Sequence, residues 1–204
     1  MEIESPANPR IRAALALRER RERDRTGLTL VDGGRESLRA IESGVRVETA
    51  FVCLPLVAGR ESAAGSDGSV GAAGMDVMAG LDAIAAADSD AAAAVRQLGH
   101  SGAAIVPVSR RAFERLAYGD RADGIVLVVL APDRTLQALS VGPDPLIVVT
   151  EDVEKPGNLG AILRSADGAG AAALIAIGGT DLFNPNVIRA SIGTIFSVPV
   201  VTAS

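Results

Sequence analysis

LIVVTEDVEKPGNLGAILRSADGAGAAALIAI, residues 146–177, reads as strand, polar loop, helix, strand. Leu146, Ile147, Val148 and Val149 form an apolar, largely β-branched run of the kind found in a strand buried on both faces. Glu151, Asp152, Glu154 and Lys155 make a charged loop that Pro156-Gly157 closes. Asn158 stands in the place of an N-cap, just ahead of Leu159, Ile162, Leu163 and Ala166 at helical spacing. Gly168 and Gly170 stop the helix, and Ala172 to Ile177 supplies the next strand. The unit is βαβ. Its polar loop falls at the carboxyl end of the first strand, the edge at which open α/β sheets hold ligands.

Upstream, strands and helices also alternate. Leu28 to Val31, Val47 to Leu54, Ile105 to Val108 and Ile125 to Leu130 read as strands. Arg35 to Ile41 reads as a helix, and Ser109 caps another that runs through Leu116. This alternation predicts an α/β fold with a small parallel or mixed sheet covered by helices. Residues 59–94, rich in Ala, Gly, Ser and Asp, read as a low-complexity insertion with a flexible loop at Gly65–Gly74 and helix from Met75 onward. Pro132, Gly142, Pro143 and Pro145 mark a connection, with a short helix at Thr135 to Leu139. The boundary falls near residue 143, giving domains at 1–142 and 143–204. Asn184-Pro185 repeats the N-cap and N1 pairing for a helix through Ile192, Gly193 fits its C-cap, and Phe196 with Val198 to Val201 begins a last strand.

The 204 residues are 48% hydrophobic but only 2% aromatic, so the core is built from Val, Leu, Ile and Ala. One cysteine, Cys53, excludes a disulfide framework and points to a reducing compartment, the cytoplasm. No apolar run reaches membrane-spanning length, and the N-terminus does not read as a signal peptide. A formal net charge of −5 argues against nucleic-acid binding through global charge, though not against a local basic patch. No metal site is expected. His100 is the only histidine, and Asp88 with Asp90 is too sparse for a calcium loop. The G-x-G-x-x-A string at Gly168 to Ala173 follows a helix and precedes a strand, the reverse of the dinucleotide-binding context.

Residues 5–25 hold the basic concentration. Arg10, Arg12, Arg18, Arg20, Arg21, Arg23 and Arg25 face Glu19, Glu22 and Asp24, a local net of +4. Asn8-Pro9 starts a helix there, with Ile11, Ala14, Leu15 and Leu17 as its apolar stripe. Two readings stand open: a solvated face with i,i+4 pairs such as Arg18–Glu22, or contact with phosphates.

Pro156 to Ala166, PGNLGAILRSA, resembles the first signature motif of the SpoU (TrmH-like) RNA ribose methyltransferases of the SPOUT superfamily. Asn186 to Gly193 and Phe196 to Val200 resemble the segment these enzymes place before their second motif. The order helix, Leu30-Val31-Asp32-Gly33, Arg35, helix, strand resembles their N-terminal ribosomal-protein-like α/β/α substrate-binding domain, with Asp32 where the family more often has Glu. The resemblance implies S-adenosyl-L-methionine-dependent 2′-O-methylation of an RNA ribose, ribosomal RNA ahead of transfer RNA, by a homodimer when full-length. It implies Arg164 and Asn158 as catalytic residues; Glu151, directly after the strand, joins them as the group that orients Arg164 or the loop, and Arg10, Arg12 and Arg18 of the basic run, Arg35 after the Gly-Gly turn and Arg189 are the candidate RNA contacts. The family's second and third motifs, which supply most of its knotted cofactor pocket, are not found before Ser204. This chain alone is therefore expected to be an inactive, incomplete SPOUT domain with no assigned cofactor residues. The rival reading is a non-catalytic RNA-binding module.

Overall fold

A computed structural model describes residues 2–59, 84, 87–99, 101–118, 123–132, 135–179 and 181–203. His100, the Gly65–Gly74 loop and most of the helix expected from Met75 lie outside them.

The chain begins with α1 (Pro9–Ala16) and α2 (Arg20–Thr26). Strand β1 (Leu28–Asp32), α3 (Gly34–Glu42), β2 (Val47–Val52) and the single turn α4 (Leu54–Val57) come next. Then follow α5 (Asp90–Leu98), β3 (Ala104–Pro107), α6 (Arg110–Leu116) and β4 (Ile125–Leu130). These strands form a mixed sheet ordered β1-β4-β2-β3, with β4 antiparallel to both neighbours and β2 parallel to β3. Strand β4 is central, which explains its unbroken apolar sequence IVLVVL: Ile125 to Val129 are all buried. One face packs Leu30, Phe51, Val126 and Val128 against Ile11, Ala14 and Leu17 and against Phe113 and Leu116 of α6.

After a 3-10 turn (Leu136–Ala138) the chain forms β5 (Ile147–Glu151), α7 (Pro156–Gly168), β6 (Ala173–Ile177), α8 (Pro185–Ala190), α9 (Thr194–Ser197) and β7 (Val200–Ala203). Its sheet is fully parallel, ordered β5-β6-β7. The two sheets share a core: Val31, Val52 and Leu127 belong to the same buried cluster as Leu159, Leu163, Val187, Ile188 and Phe196.

Five expectations need correction. Strand β5 is not buried on both faces; Leu146, Ile147 and Val149 are 53%, 36% and 58% exposed, because β5 is an edge strand with little over it. The basic run is two helices broken at Leu17 to Glu19, and Glu22 pairs with Arg25, 2.8 Å away, instead of Arg18. The supposed insertion does not extend to Ala94. Ser89 caps α5, Ala91, Ala92 and Ala94 are core, and Ala91 meets Gly34 so closely that a Cβ on the glycine would stand 2.7 Å from the Ala91 nitrogen. Phe196 lies in α9, so the last strand begins at Val200. Helix α7 starts at Pro156 with Lys155 as N-cap, which places Asn158 inside the first turn; proline at N1 was the better start signal.

Candidate functional site

The end of β5 and the start of α7 are set by the loop 152–155. Asp152 takes a left-handed conformation (φ 50°) while its N–H donates to the Ile177 carbonyl at 2.9 Å, tying the loop to β6. Gly179 lets the loop after β6 lie against it, since a Cβ there would stand 2.7 Å from the Val153 carbonyl oxygen. An open cleft of about 590 Å³ results, lined by Asp152, Val153, Glu154, Lys155, Asn158 and the α7 residues Ala161 and Ile162. Asn158 is exposed in this cleft, and Glu151 is exposed at the strand end.

Arg164 stands six positions beyond Asn158, about 240° around the helix. The two side chains therefore leave α7 on different flanks. The Arg164 side chain is exposed, and its guanidinium donates to the Ala190 carbonyl at the end of α8. That contact depends on Gly160: a Cβ there would lie 2.5 Å from the Ala190 carbonyl carbon, so α7 and α8 meet backbone to backbone.

Helix α8 is capped as the sequence indicates, with the Asn184 side chain accepting from the Asn186 N–H at 2.9 Å. Its C-terminus turns through Ile192 in the left-handed region (φ 55°), a strained state for a β-branched residue, and Gly193 follows (φ 74°). The Gly193 N–H returns to the Ile188 carbonyl at 3.1 Å. Arg189 is half-buried and donates to the Tyr118 carbonyl. The Tyr118 N–H in turn donates to Asp32 at 2.6 Å. Burial pushes the Asp32 carboxyl up to about 6; the Tyr118 N–H and Arg189 pull against that rise, while Asp123 and Glu36 add to it. Asp123 accepts from the Gly34 N–H at 2.9 Å, at the start of α3.

Arg35 is exposed beside Asp90 (3.3 Å) and lines a cleft of about 610 Å³ with Gly34, Ser89, Asp123 and Ile192. Arg10 and Arg12 are exposed on α1, and Arg10 stands at the mouth of a cavity of about 660 Å³ floored by Leu28, Phe51, Val106 and Val128. Arg18 is spent inside the protein. It donates to the Leu116 and Ala117 carbonyls at 3.0 and 3.1 Å and lies 4.3 Å from the Tyr118 ring centroid. Arg18 and Arg189 are thus both held by main-chain carbonyls of the segment 116–118. Arg23 is buried against Asp181 and the Leu17 and Arg18 carbonyls, and the Thr29 hydroxyl donates to the Phe183 carbonyl at 2.7 Å. Sequence reasoning missed these ties between the two sheets. Partners some 70 to 160 positions apart leave no periodic signal.

The profile of the SpoU rRNA methylase family matches residues 145–204, and that of an MRM3-like substrate binding domain matches residues 8–127. Residues 8–127 belong to the MRM3-like substrate binding domain family, and residues 145–204 to the SpoU methylase family. The chain is 41% identical over 78 residues to the 23S rRNA (uridine(2479)-2′-O)-methyltransferase of Streptomyces viridochromogenes, covering 38% of the chain and 27% of that protein. A crystal structure of an RNA 2′-O ribose methyltransferase matches it with a TM-score of 0.71 and 34% identity, over 100% of this chain and 66% of that one. The SpoU methyltransferase AviRb from Streptomyces viridochromogenes, in complex with the cofactor AdoMet, matches with a TM-score of 0.68 and 27% identity over 96% and 62%. This chain thus spans slightly under two thirds of those solved structures. The α/β fold is theirs. Among the described residues no cluster of His, Cys, Asp and Glu is arranged to hold a metal, and no helix is long and apolar enough to cross a membrane.

Proposed function

We propose that this chain forms the RNA-binding and substrate-orienting part of a cytoplasmic S-adenosylmethionine-dependent methyltransferase that modifies a ribose 2′-hydroxyl in ribosomal RNA. In this reading residues 1–142 bind RNA, residues 143–204 belong to the SPOUT methyltransferase domain, and the natural-length protein works as a homodimer. The observation that carries it is the signature helix α7, packed on α8 through Gly160 so that Arg164 projects from that junction into solvent. A guanidinium keeps its proton at any physiological pH, so Arg164 is not a base. It anchors the phosphate beside the target ribose and stabilises the alkoxide that develops as the 2′-hydroxyl loses its proton. Asn158 orients the ribose from the neighbouring flank, and Glu151 holds the loop. Arg10, Arg12 and Arg35 supply the exposed cations for the RNA backbone.

The cofactor contributes the methyl group. In this reading its pocket is completed by the family's second and third motifs. The cleft beside Asn158 and a second of about 400 Å³ beside Gly178, Gly179 and Thr202 both lie open at the carboxyl ends of the strands, and neither encloses a ligand. That observation also favours the second reading, an RNA-binding module without catalysis. Calorimetric titration with S-adenosylmethionine checks the assignment: the 204-residue chain binds it no tighter than about millimolar, and a micromolar constant contradicts the incomplete pocket. Methyl transfer by the natural-length protein separates enzyme from module; its complete absence sinks the enzyme.

A further inference from the structure

We propose that Arg189 is a positioning residue, which holds helix α8 to the Tyr118 main chain so that the Ala190 carbonyl stays in place to orient the Arg164 guanidinium. The proposal deepens the reading of Arg164 given above and rests on it.

Tyr118 is a junction with three attachments. Its N–H donates to Asp32 at the end of β1, its carbonyl accepts from Arg189 of α8, and its ring carries the Arg18 guanidinium at 4.3 Å. Arg18 also ties down the preceding turn through the Leu116 and Ala117 carbonyls at 3.0 and 3.1 Å. One end of this chain of contacts is the basic segment that we assign to RNA. The other is the residue pair Arg189-Ala190, where consecutive main-chain units face opposite tasks: one side chain grips the N-terminal sheet, and the next carbonyl holds Arg164.

Helix α8 is short, Pro185–Ala190, and too brief to hold its own course without tertiary contacts. Its far end is fixed by the backbone approach to Gly160 and by the turn at Ile192, whose carbonyl accepts from Arg39 of α3 at 3.3 Å. Arg189 supplies the attachment on the remaining side. Arg189 therefore acts on Arg164 through the peptide unit that joins Arg189 to Ala190, and the coupling is a geometric one that does not require contact with substrate.

The test uses the 204-residue chain and the nuclear magnetic resonance signal of the Arg164 Nη1–H, the group that donates to the Ala190 carbonyl. Arg189→Ala is expected to shift that signal and to speed its hydrogen exchange about threefold to tenfold, the loss of roughly one hydrogen bond. Arg189→Lys, which keeps a cationic donor, is expected to restore part of the shift. An unmoved signal in folded Arg189→Ala overturns the proposal. If that variant does not fold, Asp32→Asn decides, with a smaller shift in the same direction expected and no shift overturning the proposal. RNA affinity is measured in parallel with Arg10→Ala/Arg12→Ala. A chain that binds no RNA removes the proposed function but leaves the Arg189 coupling standing or falling on its own signal.

Discussion

Strands β4 and β5 carry the same kind of sequence, IVLVVL and, with the preceding Leu146, LIVVTE, and meet opposite environments. β4 is enclosed by β1 and β2 and by helices on both faces, with Ile125 to Val129 buried. β5 pairs on one edge only, with β6, and Val149 is 58% exposed. The difference teaches that an apolar run reports what a strand requires and says nothing of which element supplies it. The N-terminal sheet satisfies its own requirement, helped by the parallel unit behind it. The parallel unit satisfies only one side of its own.

Four substitutions sharpen or break this contrast. Leu127→Ala in β4 is expected to cost about 2 to 5 kcal/mol by leaving a cavity in a close-packed site, read from the denaturant midpoint at unchanged slope. A cost below about 1 kcal/mol would mean that the N-terminal sheet is as loosely covered as β5.

Asp32→Asn comes next. The Asp32 carboxyl is raised from 3.8 to about 6 in the folded protein. The folded state therefore binds the proton more tightly than the unfolded one, and its contribution to stability is complete below about pH 4 and lost as pH rises through 6. Removing the carboxyl should flatten that fall and raise stability near pH 7 by up to roughly 3 kcal/mol. Parallel pH profiles for wild type and variant would show that Asp32 titrates normally.

Gly160→Ala has a smaller effect of unusual sign. In a free helix the change stabilises by about 1 kcal/mol, whereas here the added methyl meets the Ala190 backbone and should cost about 1 to 3 kcal/mol. Stabilisation would show that α7 and α8 are not in contact.

Val149→Thr should move stability by less than about 0.5 kcal/mol while reducing self-association in sedimentation, because the side chain is already in water. A loss as large as that of Leu127→Ala would show that β5 is covered after all.

Much of this architecture was legible in the chain. Residues 146–177 declared the βαβ unit, Ser109 and Asn184 declared their caps, and PGNLGAILRSA declared the family. The α7 N-terminus was misplaced because Asn158 competed with Pro156, and proline at the first helical position prevailed. Residues 90–94 looked like low complexity since alanine is both a helix former and the side chain a tight helix contact selects, and only the approach of Gly34 tells these apart. Of the candidate site, the sequence could offer Asn158, Arg164 and Glu151 as candidates, but not that Asn158 and Arg164 leave the helix on separate flanks. For Arg18 and Arg189 a sequence shows the charge and not the distant carbonyls each meets in the fold.

The most direct test of the account is methyl transfer from S-adenosylmethionine to ribosomal RNA by the protein, comparing wild type with Arg164→Ala. A fall in kcat of about a hundredfold or more, with RNA affinity within about twofold, is the predicted outcome. An equal loss of affinity and rate, or an unchanged rate, would contradict the placement of Arg164 at the reacting hydroxyl.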